Sequence, residues 1–203
     1  MIDNLENKVM RTRGKFGLRV MLAAALFSAV GCVSNYINTS VGAIFPGRAK
    51  EKGLPTLTVG ELGYTARFNN SKWGVGLLYQ YGTGYMSDNG NPTANEPAYN
   101  SSLNTSVGTL YAQYSFGNNS KKLHLRAGFK TGVQDLTTSV KEPINETFNE
   151  SDTVNGGSIS ACLEFWNKKE EIAVYLQAEE TFYDSKNITD TATLSAGLSI
   201  ILD

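Results

Sequence analysis

The sequence predicts an all-β fold, an eight-stranded antiparallel up-and-down transmembrane β-barrel, on the strength of three observations. First, apolar and polar residues alternate over many segments, which is typical of strands with one apolar face. Second, tight polar turns and longer polar segments alternate between those strands, as in small membrane barrels. Third, the clear strands have about 10–13 residues, the length that a tilted strand needs to cross hydrocarbon. Soluble strands usually have about 5–6 residues.

The composition of the 203 residues fits this class and excludes several others. The hydrophobic share is 41% and the mean hydropathy is -0.24, values well below those of a helical membrane protein. A transmembrane barrel needs only alternate strand residues to be apolar. The net charge of -1 gives no indication of a nucleic-acid partner. With two cysteines and one histidine, the chain predicts no disulfide framework, no metal site and no cofactor.

Residues 10–32 have the pattern of an export signal. Basic residues precede a short apolar stretch at 20–30, and small residues follow it. The apolar stretch is too short to span a bilayer, which needs about 20 apolar residues. We therefore predict a signal peptide at 1–31, with Met10 as a possible true start, and the barrel at 32–203. The alternative is an amphipathic or buried helix.

The end of this leader leaves two kinds of processing open. Ala29 and Gly31 satisfy the small-residue rule of an ordinary signal peptidase. The same residues followed by Cys32 resemble a bacterial lipobox, although the usual leucine is missing. Cys32 is therefore a possible lipidation site.

The strand pattern is clearest at residues 57–82, where two strands meet at a tight turn, 69–72. Apolar residues occupy every second position on both sides of this turn. The remaining strands are predicted at 35–45, 106–116, 122–133, 156–166, 172–183 and 192–202. The segment at 35–45 has the weakest alternation, and an even strand count requires it. Glu180 interrupts the apolar face of the seventh strand.

The connections predict which end of the barrel faces which compartment. The turns at 69–72, 118–121 and 167–170 are tight, which is typical of periplasmic turns. The segments at 83–104 and 134–154 are long, polar and without apolar period, so we expect extracellular loops there. Loops on a rigid scaffold often carry binding.

Aromatic residues collect near both ends of the predicted strands. Tyr and Trp favour a membrane interface because one end of the ring is apolar and the other is polar. The alternative is a soluble sandwich with ordinary core and surface aromatics. The predicted girdles consist of Phe68, Trp73, Phe116, Phe165 and Trp166 at the turns, and of Tyr79, Tyr81, Tyr85, Phe182 and Tyr183 at the opposite ends.

The polar faces of the strands predict a filled interior. An eight-stranded barrel is just wide enough for its side chains to fill it, and buried charges must be paired. We expect a network of ion pairs, with a conducting pore as the alternative. By height above the turns, Glu61, Lys130 and Glu179 form one set, and Arg67, Arg126 and Glu164 form a lower one. His124 and Cys162 also face inward and are interpreted as structural residues.

In these strands and loops the chain resembles the small eight-stranded outer-membrane barrels of the OmpX and OmpA-barrel kind. The resemblance implies the outer membrane of a Gram-negative-type bacterium, and contacts with its lipid and lipopolysaccharide. It also implies insertion by the barrel-assembly machinery and a monomeric state. The chain departs from the family at 199–203, where the usual terminal aromatic is missing.

The function predicted from these features is that of a non-enzymatic barrel with a plugged lumen. Its loops at 83–104 and 134–154 would serve envelope stability or adhesion, and would bind any extracellular ligand. One alternative is an exported, soluble, lipocalin-like barrel that carries an apolar ligand. The other is a lipid A-modifying barrel enzyme, which a single histidine supports poorly.

Overall fold

A computed structural model describes residues 33–46, 56–68, 71–88, 98–118, 120–140, 146–184 and 190–202. These residues form eight strands: β1 (Val33–Pro46), β2 (Leu57–Phe68), β3 (Trp73–Asp88), β4 (Tyr99–Gly117), β5 (Lys121–Val140), β6 (Glu146–Trp166), β7 (Ile172–Tyr183) and β8 (Asp190–Leu202). Each strand pairs with the next in antiparallel fashion, and β8 pairs with β1 to close the barrel. The predicted barrel is confirmed, and the weak segment at 35–45 lies within β1. The predicted leader and Cys32 lie outside the described residues.

The alternation of the sequence becomes an outer and an inner face of the barrel. On β7, for example, Val174 and Leu176 are exposed, whereas Tyr175 and Gln177 are buried. Successive strand residues point to opposite faces, so one apolar set covers the outside of the barrel. We call this surface the outer belt; its large members include Leu62, Leu110, Leu125, Phe129, Ile159, Leu163, Val174, Leu176, Leu194, Leu198 and Ile200.

Tight connections join β2 to β3, β4 to β5, and β6 to β7 at one end, which we call the turn end. In the last of these, the side-chain oxygen of Asn167 accepts a hydrogen bond from the backbone N–H of Glu171 at 2.9 Å. Gly117 has φ = 110°, a left-handed conformation in which a glycine is favoured. The opposite end is the loop end. No helix among the described residues is long and apolar enough to cross a membrane.

The predicted loops at 83–104 and 134–154 are largely strand, so their boundaries were wrong. β3 continues to Asp88 and β4 begins at Tyr99, while β5 continues to Val140 and β6 begins at Glu146. In these polar segments only a few inward residues, such as Leu103, Leu136 and Val154, are buried or packed in a core cluster, so no apolar period extends through them. The backbone ladder nevertheless extends through them, and hydroxyl pairs such as Ser101–Thr138, at 3.2 Å, lie across it.

The interior has three layers. At the loop end, buried apolar side chains from β1, β2 and β4 form a cluster: Ile44, Leu57, Val59 and Leu103, with Leu136 and Tyr183 packed against it. At the turn end, Tyr36, Trp166 and Ala173 form a second cluster with Ile201. Polar and charged side chains occupy the space between the two clusters.

Two aromatic residues of the predicted girdles therefore belong to the interior. Tyr183 shares the inward face of β7 with Glu179 and packs against the loop-end cluster. Trp166 shares the inward face of β6 with Glu164 and is buried in the turn-end cluster. In both cases the period of two along the strand outweighs the general preference of aromatic rings for an interface.

Candidate functional site

The barrel interior is the first candidate site, and all six residues proposed for the ion-pair network lie in it. Glu61, Arg67, Arg126, Lys130, Glu164 and Glu179 are buried. The set consists of three carboxylates and three basic side chains. Because an uncompensated buried charge costs several kcal/mol, such a balance is what a closed interior requires.

The loop-side cluster is built around Lys130. Its ammonium forms an ion pair with Glu179 and donates a hydrogen bond to Gln80 Oε1 at 2.7 Å. Gln80 Nε2 in turn donates to Glu61 Oε1 at 2.6 Å, so its amide links the two carboxylates of the cluster. The other donors to Glu61 are the hydroxyls of Ser40 and Ser195, the latter at 3.0 Å. The cluster joins side chains from β1, β2, β3, β5, β7 and β8 and ties the barrel wall across its interior.

The turn-side cluster is built around Glu164. One of its oxygens accepts from Arg67 at 2.9 Å and from the indole N–H of Trp166 at 3.0 Å, and lies 2.8 Å from His124 Nε2. The guanidinium of Arg67 stacks on the ring of Tyr36, 4.2 Å from its centroid. A cation over an aromatic face is attracted by the ring quadrupole, which adds to the ion pair.

Ser115 also belongs to this cluster. With His124 and Glu164 it forms a Ser–His–Glu row that resembles the triad of a hydrolase. Ser115 Oγ lies 2.8 Å from His124 Nδ1, and His124 Nε2 lies 2.8 Å from Glu164. His124 and Glu164 are both fully enclosed, however, and Arg67 shares the same carboxylate oxygen. A hydrolase needs room for a substrate beside its nucleophile and base, so this packing favours structural closure. The alternation of the sequence places Ser115 on the polar face of its strand with Gln113, but it does not predict the contact of Ser115 with His124.

Arg126 lies in the middle of the interior and is held by neutral groups. It donates to Gln113 Oε1 at 3.2 Å and to Gln177 Oε1 at 2.5 Å, and lies 5.0 Å from the centroid of the Tyr111 ring. The gap beside Arg126 is too narrow to hold a water molecule. Among the described residues, no group of three or more His, Cys, Asp or Glu side chains is arranged to hold a metal ion.

A filled interior predicts a barrel that does not conduct. We expect planar-bilayer recordings of the refolded protein to show no stable conductance step, because apolar layers close both ends of a packed polar layer. The double variant Tyr36→Ala/Leu103→Ala thins both apolar layers and should leak more than the parent. A reproducible large step in the parent would contradict the plugged lumen.

The other girdle residues lie on the outer face. Phe68, Trp73, Phe116 and Phe165 are exposed near the turn end, and Tyr81 is exposed toward the loop end. At the turn end some of these rings contact one another edge to face through Tyr114: the centroids of Trp73 and Tyr114 are 4.9 Å apart, and those of Tyr114 and Phe116 are 4.8 Å apart. These aromatics border the outer belt.

The loop end provides a second candidate site, a sheet that extends beyond the closed part of the barrel. We call residues 84–88, 99–105, 133–140 and 146–155 the projecting sheet. β6 pairs with β7 only from Gly156 onward, and β2 pairs with β3 only as far as Thr83. Over 146–154 the described strand pairs therefore give β6 one strand neighbour, β5. A sheet that extends in this way is a surface to which another molecule can bind.

Comparisons with known proteins agree with this fold. No protein-family model matches the sequence, and the search of curated proteins finds no match. The chain is similar to a major outer membrane protein from Thermus thermophilus, at 10% identity and a TM-score of 0.61, over 84% of this chain and 99% of that one. It is also similar to Ail, the attachment invasion locus protein of Yersinia pestis, at 15% identity and a TM-score of 0.51, over 84% and 97%. The chain therefore has the fold of small outer-membrane β-barrels.

The same comparison includes a barrel with catalytic activity, the outer membrane enzyme PagL. The identity is 17% and the TM-score 0.40, too distant a likeness to carry an argument. A fold does not by itself determine an activity, so activity has to be argued from the site.

Proposed function

We propose that the chain is a non-enzymatic outer-membrane protein of a Gram-negative-type bacterium, a monomer whose filled barrel supports a projecting sheet for contact at the cell surface. Its partners are outer-membrane lipid and lipopolysaccharide, and the barrel-assembly machinery inserts it. The turn end lies in the periplasm and the loop end outside the cell. Residues 1–31 serve as the export leader, and Cys32 is the candidate for lipidation.

The observation that carries this proposal is the inverted distribution of polarity. Large apolar side chains such as Leu110, Phe129 and Leu194 cover the outside of the barrel, while six Glu, Lys and Arg side chains are buried within it. Glu180 is an exposed exception on the outer face of β7. A water-soluble barrel that carries an apolar ligand has the opposite arrangement. A belt of this kind is favourable against lipid and costly against water. The lipocalin-like alternative is therefore disfavoured.

The projecting sheet supports a role in attachment or envelope stability. It stands on a barrel that Lys130–Glu179 and Arg67–Glu164 tie across its interior, and a rigid scaffold is what a binding surface needs. The Yersinia pestis protein was crystallised with a heparin analogue, sucrose octasulfate. Arg126 and Lys130 are buried inside the barrel, so neither is offered to a partner of the projecting sheet.

A truncated hairpin tests the proposal. We replace residues 138–148 with Asn-Gly, which joins β5 to β6 through a two-residue turn at the Thr137–Asn149 pair. The truncated protein should stay in the outer-membrane fraction and keep a gel mobility that changes on boiling. Cells that carry it should attach less to an epithelial monolayer than cells that carry the full chain. Equal attachment would overturn the role of the sheet, and recovery in the soluble fraction would overturn the membrane location.

A further inference from the structure

A small cleft lies on the outer wall where the outer belt meets the projecting sheet. We call it the outer cleft; it has a volume of about 100 Å³ and is lined by Tyr81, Asn104, Thr105, Ser106 and Asp135. The strand register brings these residues together, since Tyr81 pairs with Ser106 and Asn104 pairs with Asp135. Three strands thus contribute to one concave site.

The outer face changes its chemistry at the height of this cleft. Below it on β4 and β5, Leu110 and Phe129 belong to the apolar outer belt. Above it, the outward positions on β3 to β6 carry hydroxyl, amide and phenol groups almost exclusively: Thr83, Tyr85, Ser87, Asn100, Ser102, Thr137, Ser139, Thr147, Asn149, Ser151 and Thr153. This described surface has one carboxylate, on Asp135, and no lysine or arginine.

Hydrogen bonds hold the groups in and beside the cleft in place. Tyr79 Oη lies 2.8 Å from Ser106 Oγ, and Ser151 Oγ donates to the carboxylate of Asp135 at 2.6 Å. The ring of Tyr81 is 50% exposed at one side of the cleft. The ring of Tyr85 is also exposed and lies on the same outward face of β3. The site therefore offers a flat aromatic surface next to amide, hydroxyl and carboxylate groups.

We propose that the outer cleft binds one ring of an uncharged saccharide, in the sugar headgroup of a glycolipid in the same outer leaflet. A sugar ring has an apolar C–H face, which fits the Tyr81 ring, and a rim of hydroxyls, which fits Asn104, Ser106 and Asp135. The absence of described cations at the cleft disfavours recognition of phosphate or sulfate. Because the cleft lies directly above the outer belt, a lipid whose chains contact Leu110 and Phe129 would place its first sugars there. This inference rests on the proposed outer-membrane location.

The test measures glycolipid binding in defined bilayers. The refolded protein is placed in phosphatidylcholine nanodiscs that contain a fixed share of a glycosyl diacylglycerol, whose sugar headgroup is uncharged, and the glycolipid it retains is counted by native mass spectrometry. Tyr81→Ser removes the aromatic surface and Asn104→Ala removes the amide. Tyr99→Ser is the matched control, because it removes the same side chain from the inward face of the projecting sheet.

We expect Tyr81→Ser and Asn104→Ala each to retain about fivefold to tenfold less glycolipid than the parent, the effect of about one lost contact. Tyr99→Ser should retain as much as the parent, and all variants should keep the heat-dependent gel shift. Equal retention by all variants would overturn the inference and leave the membrane location intact. Tighter binding of phosphatidylglycerol than of the glycolipid would also overturn it, because a phosphate would then be the ligand. Tighter binding of the free headgroup sugar than of the glycolipid would refute the assigned source.

Discussion

Replacing Lys130 with methionine is expected to lower the free energy of unfolding by about 3–5 kcal/mol. The substitution keeps the length of the side chain but removes the ammonium that faces Glu179 and donates to Gln80. Glu179 is then left as a buried carboxylate with two weaker donors, Gln80 and Thr181, at 3.5 and 3.4 Å. The measurement is urea unfolding in lipid vesicles, followed by the heat-dependent gel shift.

Two further variants separate the charge effect from a general loss of packing. Lys72→Met removes an exposed lysine at the turn end and should change stability by no more than about 0.5 kcal/mol. The double variant Lys130→Met/Glu179→Leu removes both buried charges and should recover most of the loss, because replacing a whole buried pair is often neutral. If Lys130→Met unfolds at the same urea concentration as Lys72→Met, the interior network does not stabilise the barrel.

The faces of the strands could be predicted from the sequence because a strand has a strict period of two. That period predicts which side of β5 carries Arg126 and Lys130, whatever the rest of the fold does. Applied without exception, it also predicts Trp166 and Tyr183 as interior residues. The preference of aromatic rings for an interface predicts girdle positions for both residues, but the period along the strand decides their faces.

The partners of the interior residues could not be predicted in the same way. Arg67 and Glu164 are 97 residues apart, and Lys130 and Glu179 are 49 apart. Their meeting depends on how far each strand is staggered against the next and on the closure of β8 onto β1, which no local pattern encodes. For the same reason, Gln80 emerged as the link between two carboxylates, and Ser115 as a partner of His124, only from the structure.

The extent of the strands was underestimated because strands were predicted from apolar periodicity. Beyond the outer belt, Ser, Thr and Asn occupy most of the inward and outward positions of β3 to β6, with Leu103, Leu136 and Val154 as inward exceptions. The register between β5 and β6 nevertheless continues for ten residues beyond Gly156, to the pair of Val140 and Glu146. Backbone pairing supplied by the closed barrel extends strands whose sequence alone resembles a loop.

Replacing Leu163 with arginine is expected to lower the free energy of unfolding by about 2–4 kcal/mol in lipid vesicles. Leu163 is exposed on β6, and its strand neighbours Leu123 and Leu176 are apolar as well. A charge at this position must leave water for hydrocarbon if the outer belt faces lipid. On a barrel surrounded by water, the same change at an exposed site would alter stability by only about 0.5 kcal/mol.

The matched control lies on the same face of the same strand. Thr153→Arg places the charge on the projecting sheet, above the outer belt, where the cost in lipid should fall to about 0–1 kcal/mol. The difference between the two variants therefore measures depth in the membrane, since both introduce the same side chain. Equal small effects would refute lipid contact at Leu163, and equal large effects would place the projecting sheet within the hydrocarbon. A large effect at Leu163 alone would place the outer boundary of the hydrocarbon between these two positions on β6.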